Sequence, residues 1–206
     1  YGSLKNFTDI TLPGARLPHD MAITNNYSIL MDLPMFWDPT LLQRGIQKVT
    51  FYPHLPSRFG IIPRHGSNTD IRWFEADPCY IYHVINAWEE GDEVIMDVCR
   101  MLTPEPSPSR LKGGAYASML AWIHIDSVYY QYRFNLKTGH TKETQKDDQM
   151  SEFPTINQYY QGRKNRWSHH AYIPQGEPLR MGGIIGYDNA TGKRDEYFYA
   201  AGIYAS

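Results

Sequence analysis

The nitrogen and sulfur side chains able to hold a metal in this chain are eight histidines and two cysteines. His83 stands in "YIYHVINAW", flanked by Ile81 and Ile85 on an apolar face. A buried neutral imidazole needs a partner for each ring nitrogen. His83 is therefore either a hydrogen-bonded core histidine or a metal ligand aimed into a dry cavity. His19, in "RLPHDMAIT", is either a loop histidine or a ligand. Its neighbour Asp20 could orient the ring or cap a turn with Ala22. Adjacent strand residues point to opposite faces, so His169 and His170 do not serve one metal together. His54, His65, His124 and His140 lie among Pro, Gly or charged neighbours, or in hairpins, and read as surface residues. Glu152, in "SEFPTIN", is either a surface carboxylate or the acceptor that fixes a metal-bound imidazole. No H-E-x-x-H, C-x-x-C, P-loop or G-x-S-x-G pattern occurs.

Groups of this kind must be carried on rigid elements, and the chain supplies strands. Residues alternate with period two in "YSILMDL", where Tyr27, Ile29, Met31 and Leu33 share a face. In "EVIMDVC" Val94, Met96 and Val98 alternate with Glu93, Ile95 and Asp97; in "VYYQYRFNL" Val128, Tyr130, Tyr132 and Phe134 line one side. The same reading puts Ile81, His83, Ile85 and Ala87 on one face, opposite Tyr80, Tyr82, Val84 and Asn86. "DPTLLQRGIQ" predicts one or two helical turns, with Asp38 as N-cap and Pro39 at the first position. "NLKTGHTKE" and "DNATGKRDE" share a hairpin form whose glycines, Gly139 and Gly192, lie 192 − 139 = 53 residues apart. A hairpin recurring at about 50 residues is the period of a propeller blade, although two unrelated hairpins would use the same turn residues. Thr103–Gly114 is rich in Pro and Gly and predicts a surface loop.

A net charge of −2 gives no electrostatic reason to expect nucleic acid. Two cysteines make neither a disulfide scaffold nor a zinc ribbon; Cys99 reads as a small half-buried hydrophobe, and the expected compartment is reducing and cytoplasmic. The N-x-S/T triplets at Asn6, Asn26 and Asn189 read as chance matches. No apolar run approaches the ~18 residues of a membrane span, and no signal peptide is visible. The chain starts at Tyr1 in a polar stretch and stops inside a strand-like run. The expectation is one partial domain over residues 1–206, cut at both ends.

"LPHDMAITNNYSILMDLP", "RWFEADPCYIYHVINAWEEGDEVIMDVCR" and "SEFPTINQYYQGRKNRW" occur in that order. Together they resemble the carotenoid cleavage oxygenase family, which includes apocarotenoid and lignostilbene dioxygenases and the retinoid isomerase of the retinal pigment epithelium. The resemblance runs from about Leu12 to Tyr204. It implies an all-β fold: part of a seven-bladed β-propeller, about three to four blades, with short helices in loops. It also implies a non-haem Fe(II) on the propeller axis, held by four histidines, three of them oriented by glutamates. His19 matches the family's second ligand and His83 its third, 83 − 19 = 64 residues apart, and Glu152 matches the glutamate that holds His83. The other two ligands fall outside this chain, so the isolated stretch is expected to be inactive. Leu17 and Phe153 are candidates for lining a substrate tunnel, or for plain core packing. The implied activity is O₂-dependent cleavage of a conjugated C=C bond in a carotenoid, apocarotenoid or stilbene, giving two carbonyl products. The implied partners are a lipophilic polyene or stilbene and O₂, with peripheral membrane association as used by some members. The alternatives are a non-oxidative iron enzyme of the retinoid isomerase type and a non-enzymatic propeller that binds partners.

Overall fold

The computed structural model describes residues 2–46, 48–106, 111–117, 124–175 and 179–205. Its elements are strands β1 (Ala22–Ile23), β2 (Tyr27–Asp32), β3 (Met35–Trp37), β4 (Val49–Phe51), β5 (Ser57–Pro63), β6 (Arg72–Ala76) and β7 (Tyr80–Glu90). They continue with β8 (Glu93–Met101), β9 (Ser127–Asn135), β10 (Thr141–Thr155), β11 (Trp167–Tyr172), β12 (Gly183–Asp188) and β13 (Lys193–Phe198). Among the described residues helix occurs in short segments such as α1 (Pro39–Gln43). Asp38 caps α1 by accepting from the N–H groups of Thr40 and Leu41, and Pro39 opens it, as the sequence predicts. Among the described residues no helix is long and apolar enough to cross a membrane. Of the predicted loop at Thr103–Gly114, residues 107–110 lie outside the described set and the rest forms neither helix nor strand.

Every sheet pairing is antiparallel, and the strands run as meanders. One sheet has the order β1-β2-β5-β6 and another β13-β12-β11-β10-β9-β8-β7; β3 and β4 pair separately. The larger sheet is two four-stranded meanders joined through β10. Thr141–Met150 pairs with β9, the register breaks, and Ser151–Thr155 pairs with β11. The chain thus repeats one four-stranded unit three times. The recurring hairpin occupies the same place in two of them, between the third and fourth strands, with Gly139 at φ 80° and Gly192 at φ 71°. The first strand of each unit is β1, β7 or the second half of β10. His19 lies just before β1, His83 on β7 and Glu152 in the second half of β10.

Two apolar layers hold the units together. Between the first and second, Ile29, Met31, Phe59, Ile61 and Phe74 pack with Val94, Met96, Val98, Tyr132 and Phe134. Phe59 meets the rings of Tyr132 and Phe134 at 4.8 and 5.1 Å. Each such buried side chain contributes about 1.5–3 kcal/mol relative to exposure. Between the second and third units, Ile85, Cys99, Tyr129, Ile185 and Tyr187 form a smaller cluster. Cys99 is fully rather than half buried, because β8 is covered on both faces.

The fully satisfied core histidine is His170. It is 1% exposed, with Ser151 Oγ 3.1 Å from Nδ1 and Ser168 Oγ 3.2 Å from Nε2. His169, beside it, is exposed, as strand alternation requires. Burial lowers the pKa of His170 to about 3 from its usual 6.5. Nearby, burial raises Asp97 to about 6, against the hydrogen bonds from Tyr129 and Gln131 that lower it. The signs oppose each other. As pH falls below 6.5 the unfolded chain protonates His170 first and stability is lost. Asp97 takes its proton first in the folded state, so its contribution is full below 3.8 and is lost as pH rises through about 6. Asp97→Asn is therefore expected to lose stability more steeply than wild type as pH falls from about 6 to 4, by up to about 1.4 kcal/mol per pH unit. Urea unfolding at a series of pH values would measure this.

Candidate metal centre

β7 is an edge strand of its sheet, and it is bulged twice. The partner register shifts between Ile81 and His83 and again between Val84 and Asn86. Each bulge resets the alternation of side chains. The predicted common face of Ile81, His83, Ile85 and Ala87 is accordingly broken. Ile81 and Ala87 pack in the first apolar layer and Ile85 in the second, while His83 stands half-buried between them. Bulges commonly serve to re-aim a side chain in this way.

His83 is fixed by Glu152. Its Nδ1 lies 2.6 Å from Glu152 Oε2, and the carboxylate is fully buried. That contact raises the His83 pKa, with burial opposing it. Glu152 also accepts from the Ser127 hydroxyl through Oε1 (3.3 Å) and from the Phe153 N–H through Oε2 (2.6 Å). With Nδ1 engaged, Nε2 is the ring nitrogen left to bind anything else. Ser127 has no signal in the sequence, because its contact spans 25 residues between two strands.

His19 arrives from the neighbouring unit. Its ring centroid lies 5.4 Å from that of His83, at 84° between planes, and 5.0 Å from the ring of Tyr82. The imidazole is exposed. Asp20 neither bonds to the His19 ring nor caps a turn with Ala22. Its Oδ1 accepts from the Met21 N–H and its Oδ2 from the Val84 N–H. Phe153 packs its ring 5.1 Å from that of His83 and remains 38% exposed. Leu17 packs against the first apolar layer, and its carbonyl accepts from Tyr80 Oη at 2.8 Å. Of the histidines expected at the surface, His54, His65 and His140 are exposed. His124 is half-buried, with its Nε2 3.4 Å from Asp126 Oδ2.

Phe153 has φ 51°, the left-handed region that costs a non-glycine residue about 1–2 kcal/mol. That turn presents its own N–H to Glu152 and its ring to His83. The usual order of small substitutions should invert here. Phe153→Gly is expected to be about 1 kcal/mol more stable than Phe153→Ala in thermal unfolding.

Asn86, buried two residues beyond Val84, holds the loop that follows Glu152. Its Nδ2 donates to the Arg163 carbonyl and to Asn165 Oδ1, with the Tyr160 carbonyl 3.1 Å away, and its Oδ1 accepts from the Gly162 N–H. Glu89 grips Asn26 through the backbone and side-chain nitrogens, tying β7 back to the first unit.

The donor set fits a borderline divalent cation that favours imidazole. An imidazole centroid stands about 3.2 Å from a metal bound at about 2.1 Å, so two rings on one ion lie about 4.5–6.5 Å apart. The observed separation of 5.4 Å falls in that range. Among the described residues no group of three or more His, Cys, Asp or Glu side chains is placed to hold a metal ion.

Antiparallel four-stranded units bring His19 and His83 together at, or just before, their first strands, and comparison with known proteins finds the same all-β fold. The chain superimposes on Pseudomonas brassicacearum lignostilbene dioxygenase with a TM-score of 0.76 at 21% identity, over 93% of this chain and 42% of that one. It superimposes equally on cobalt-substituted Synechocystis ACO, with a TM-score of 0.76 at 18% identity over 91% of this chain and 39% of the other. The profile of the retinal pigment epithelial membrane protein family matches residues 2–206. A carotenoid 9,10(9′,10′)-cleavage dioxygenase of Crocus sativus is 36% identical over 189 residues, 91% of this chain and 33% of the relative. One from Arabidopsis thaliana is 34% identical over 199 residues, 94% of this chain and 36% of the relative. The chain belongs to the retinal pigment epithelial membrane protein family, that of the carotenoid cleavage oxygenases. It spans about a third of the length of these plant relatives.

Proposed function

We propose that this chain is part of a non-haem Fe(II) dioxygenase that cleaves a conjugated C=C bond of a carotenoid, apocarotenoid or stilbene into two carbonyl products. The observation that carries the reading is the pair of imidazoles, His19 and His83, 5.4 Å apart, with His83 locked through Nδ1 to buried Glu152. His19 and His83 would supply two of the iron's ligands. The remaining two histidines, and the rest of a seven-bladed ring, would come from sequence flanking this chain. Iron, when bound, supplies the site at which O₂ is activated beside the alkene.

The chain's own residues do the positioning. Glu152 holds the His83 ring against rotation and makes it a stronger donor. Neutral imidazoles leave the cation's charge uncancelled, which suits binding of O₂ next to an uncharged hydrocarbon. Phe153 and Tyr82 place aromatic rings beside the two imidazoles, where a flat polyene or stilbene would be held by apolar contact. No side chain here is assigned as a general acid or base.

The substrate class rests on what the relatives' names state: carotenoid 9,10(9′,10′) cleavage, zeaxanthin 7,8(7′,8′) cleavage and lignostilbene oxygenation. The test is turnover of an apocarotenoid and of a stilbene by the intact Fe(II)-loaded protein under ¹⁸O₂. Two carbonyl fragments carrying label are expected. A geometric isomer with no label would overturn the reading in favour of an isomerase.

A further inference from the structure

His19 lies in the segment that leads into β1 and His83 on β7 of another sheet, so no ladder of backbone hydrogen bonds sets their spacing. Two side-chain hydrogen bonds cross between the segments, one on each side of the pair. Tyr80 Oη donates to the Leu17 carbonyl at 2.8 Å. The Val84 N–H, the next residue after His83, donates to Asp20 Oδ2 at 2.8 Å. Asp20 is also the next residue after His19, so this second bond ties the residue that follows one histidine to the residue that follows the other. The Val84 N–H lies on the open edge of β7, and Asp20 is the partner it finds there. Asp20 is itself held by the Met21 N–H on Oδ1 at 2.7 Å, which fixes the carboxylate plane.

We propose that Asp20 is a positioning residue that sets the His19–His83 spacing through its hydrogen bond to the Val84 N–H. The inference rests on the iron reading above. Asp20 touches neither imidazole by hydrogen bond; it acts on the backbone that carries them. Loss of its carboxylate releases the His19 segment from the Val84 N–H, while the Tyr80–Leu17 bond, the sheets and the apolar layers stay as they are. Two imidazoles that no longer face one point bind a metal less tightly and with altered geometry.

The experiment compares wild type, D20A and D20N in the intact protein, with Co(II) as the probe. Cobalt affinity, the ligand-field spectrum, exchange of the Val84 amide and the melting temperature are all read. D20A is expected to lose affinity about 10–100-fold, the scale for a group that orients a ligand, and to change the position and intensity of the ligand-field bands. Its melting temperature should stay within a few degrees, and the Val84 amide should exchange at least about tenfold faster. D20N keeps an oxygen for the Val84 N–H and is expected to return affinity to within about threefold of wild type with the native spectrum. Should D20A fold poorly, D20N decides alone: a full loss of affinity with an intact fold overturns the proposal, because the acceptor oxygen was kept. Native affinity and spectrum in D20A also overturn it. A wild-type protein that binds no cobalt at His83 defeats the iron reading, and this proposal with it, and that result is distinct from the variant outcomes.

Discussion

His83→Gln is expected to lower Fe(II) affinity by more than about 100-fold and to abolish cleavage, while stability changes by no more than about 1 kcal/mol. Glutamine is chosen because alanine would strand a buried carboxylate. Glu152 is fully enclosed and receives a hydrogen bond from the ring. An amide at position 83 can still donate to Glu152, but it offers no imidazole nitrogen to a metal. The effect should exceed the ~10–100-fold cost of losing an outer partner, because a directly bound donor is removed. His170→Ala is the matched control. That ring contacts Ser151 and Ser168 and makes no hydrogen bond to His19, His83 or Glu152. Its removal should cost about 2–4 kcal/mol of stability through a cavity and two stranded hydroxyls, and leave iron affinity near wild type. Iron content by metal analysis and unfolding in urea separate the two histidines.

Glu152→Ala is expected to lower iron affinity about 10–100-fold and turnover at least in proportion. Its carboxylate stops rotation of the His83 ring and, by hydrogen bonding, favours the form with Nδ1 protonated and Nε2 free. With alanine, the Ser127 hydroxyl and the Phe153 N–H also lose their acceptor. Glu152→Gln separates charge from geometry. Its oxygen can take the place of Oε2, serving His83 and Phe153, while its amide donates to Ser127 in place of Oε1. The glutamine variant should therefore keep the fold and fall at the lower end, near tenfold. Titration with Fe(II) and steady-state turnover would rank wild type, glutamine and alanine in that order. Equal affinity for all three would show that Glu152 has no part in the site.

Much of the scaffold could be read from the sequence, because strands advertise themselves by alternation. Tyr27, Ile29, Met31 and Leu33 do share the core face, and Gly139 and Gly192 do turn equivalent hairpins of successive units. The reading failed where the strand departs from regularity. The two bulges in β7 split Ile81 from Ile85, and alternation carries no mark of a bulge. The site itself was legible only through the resemblance. From pattern alone His83 reads more readily as a core histidine, and it is His170 that has that character. Asp20 and Ser127 were opaque for a common reason. Each acts on a residue of another strand, 64 positions away for Asp20 and Val84 and 25 for Ser127 and Glu152. The left-handed turn at Phe153 has no glycine or asparagine to announce it.

The central claim is that His19 and His83 bind one ferrous ion between them. Crystals of the intact protein loaded anaerobically with Fe(II), measured on both sides of the iron absorption edge, test it directly. A single anomalous peak is expected within coordination distance of a ring nitrogen of His19 and of Nε2 of His83, with His83 Nδ1 still on Glu152. An iron peak that touches neither imidazole, or two separate ions each on one of them, would contradict it.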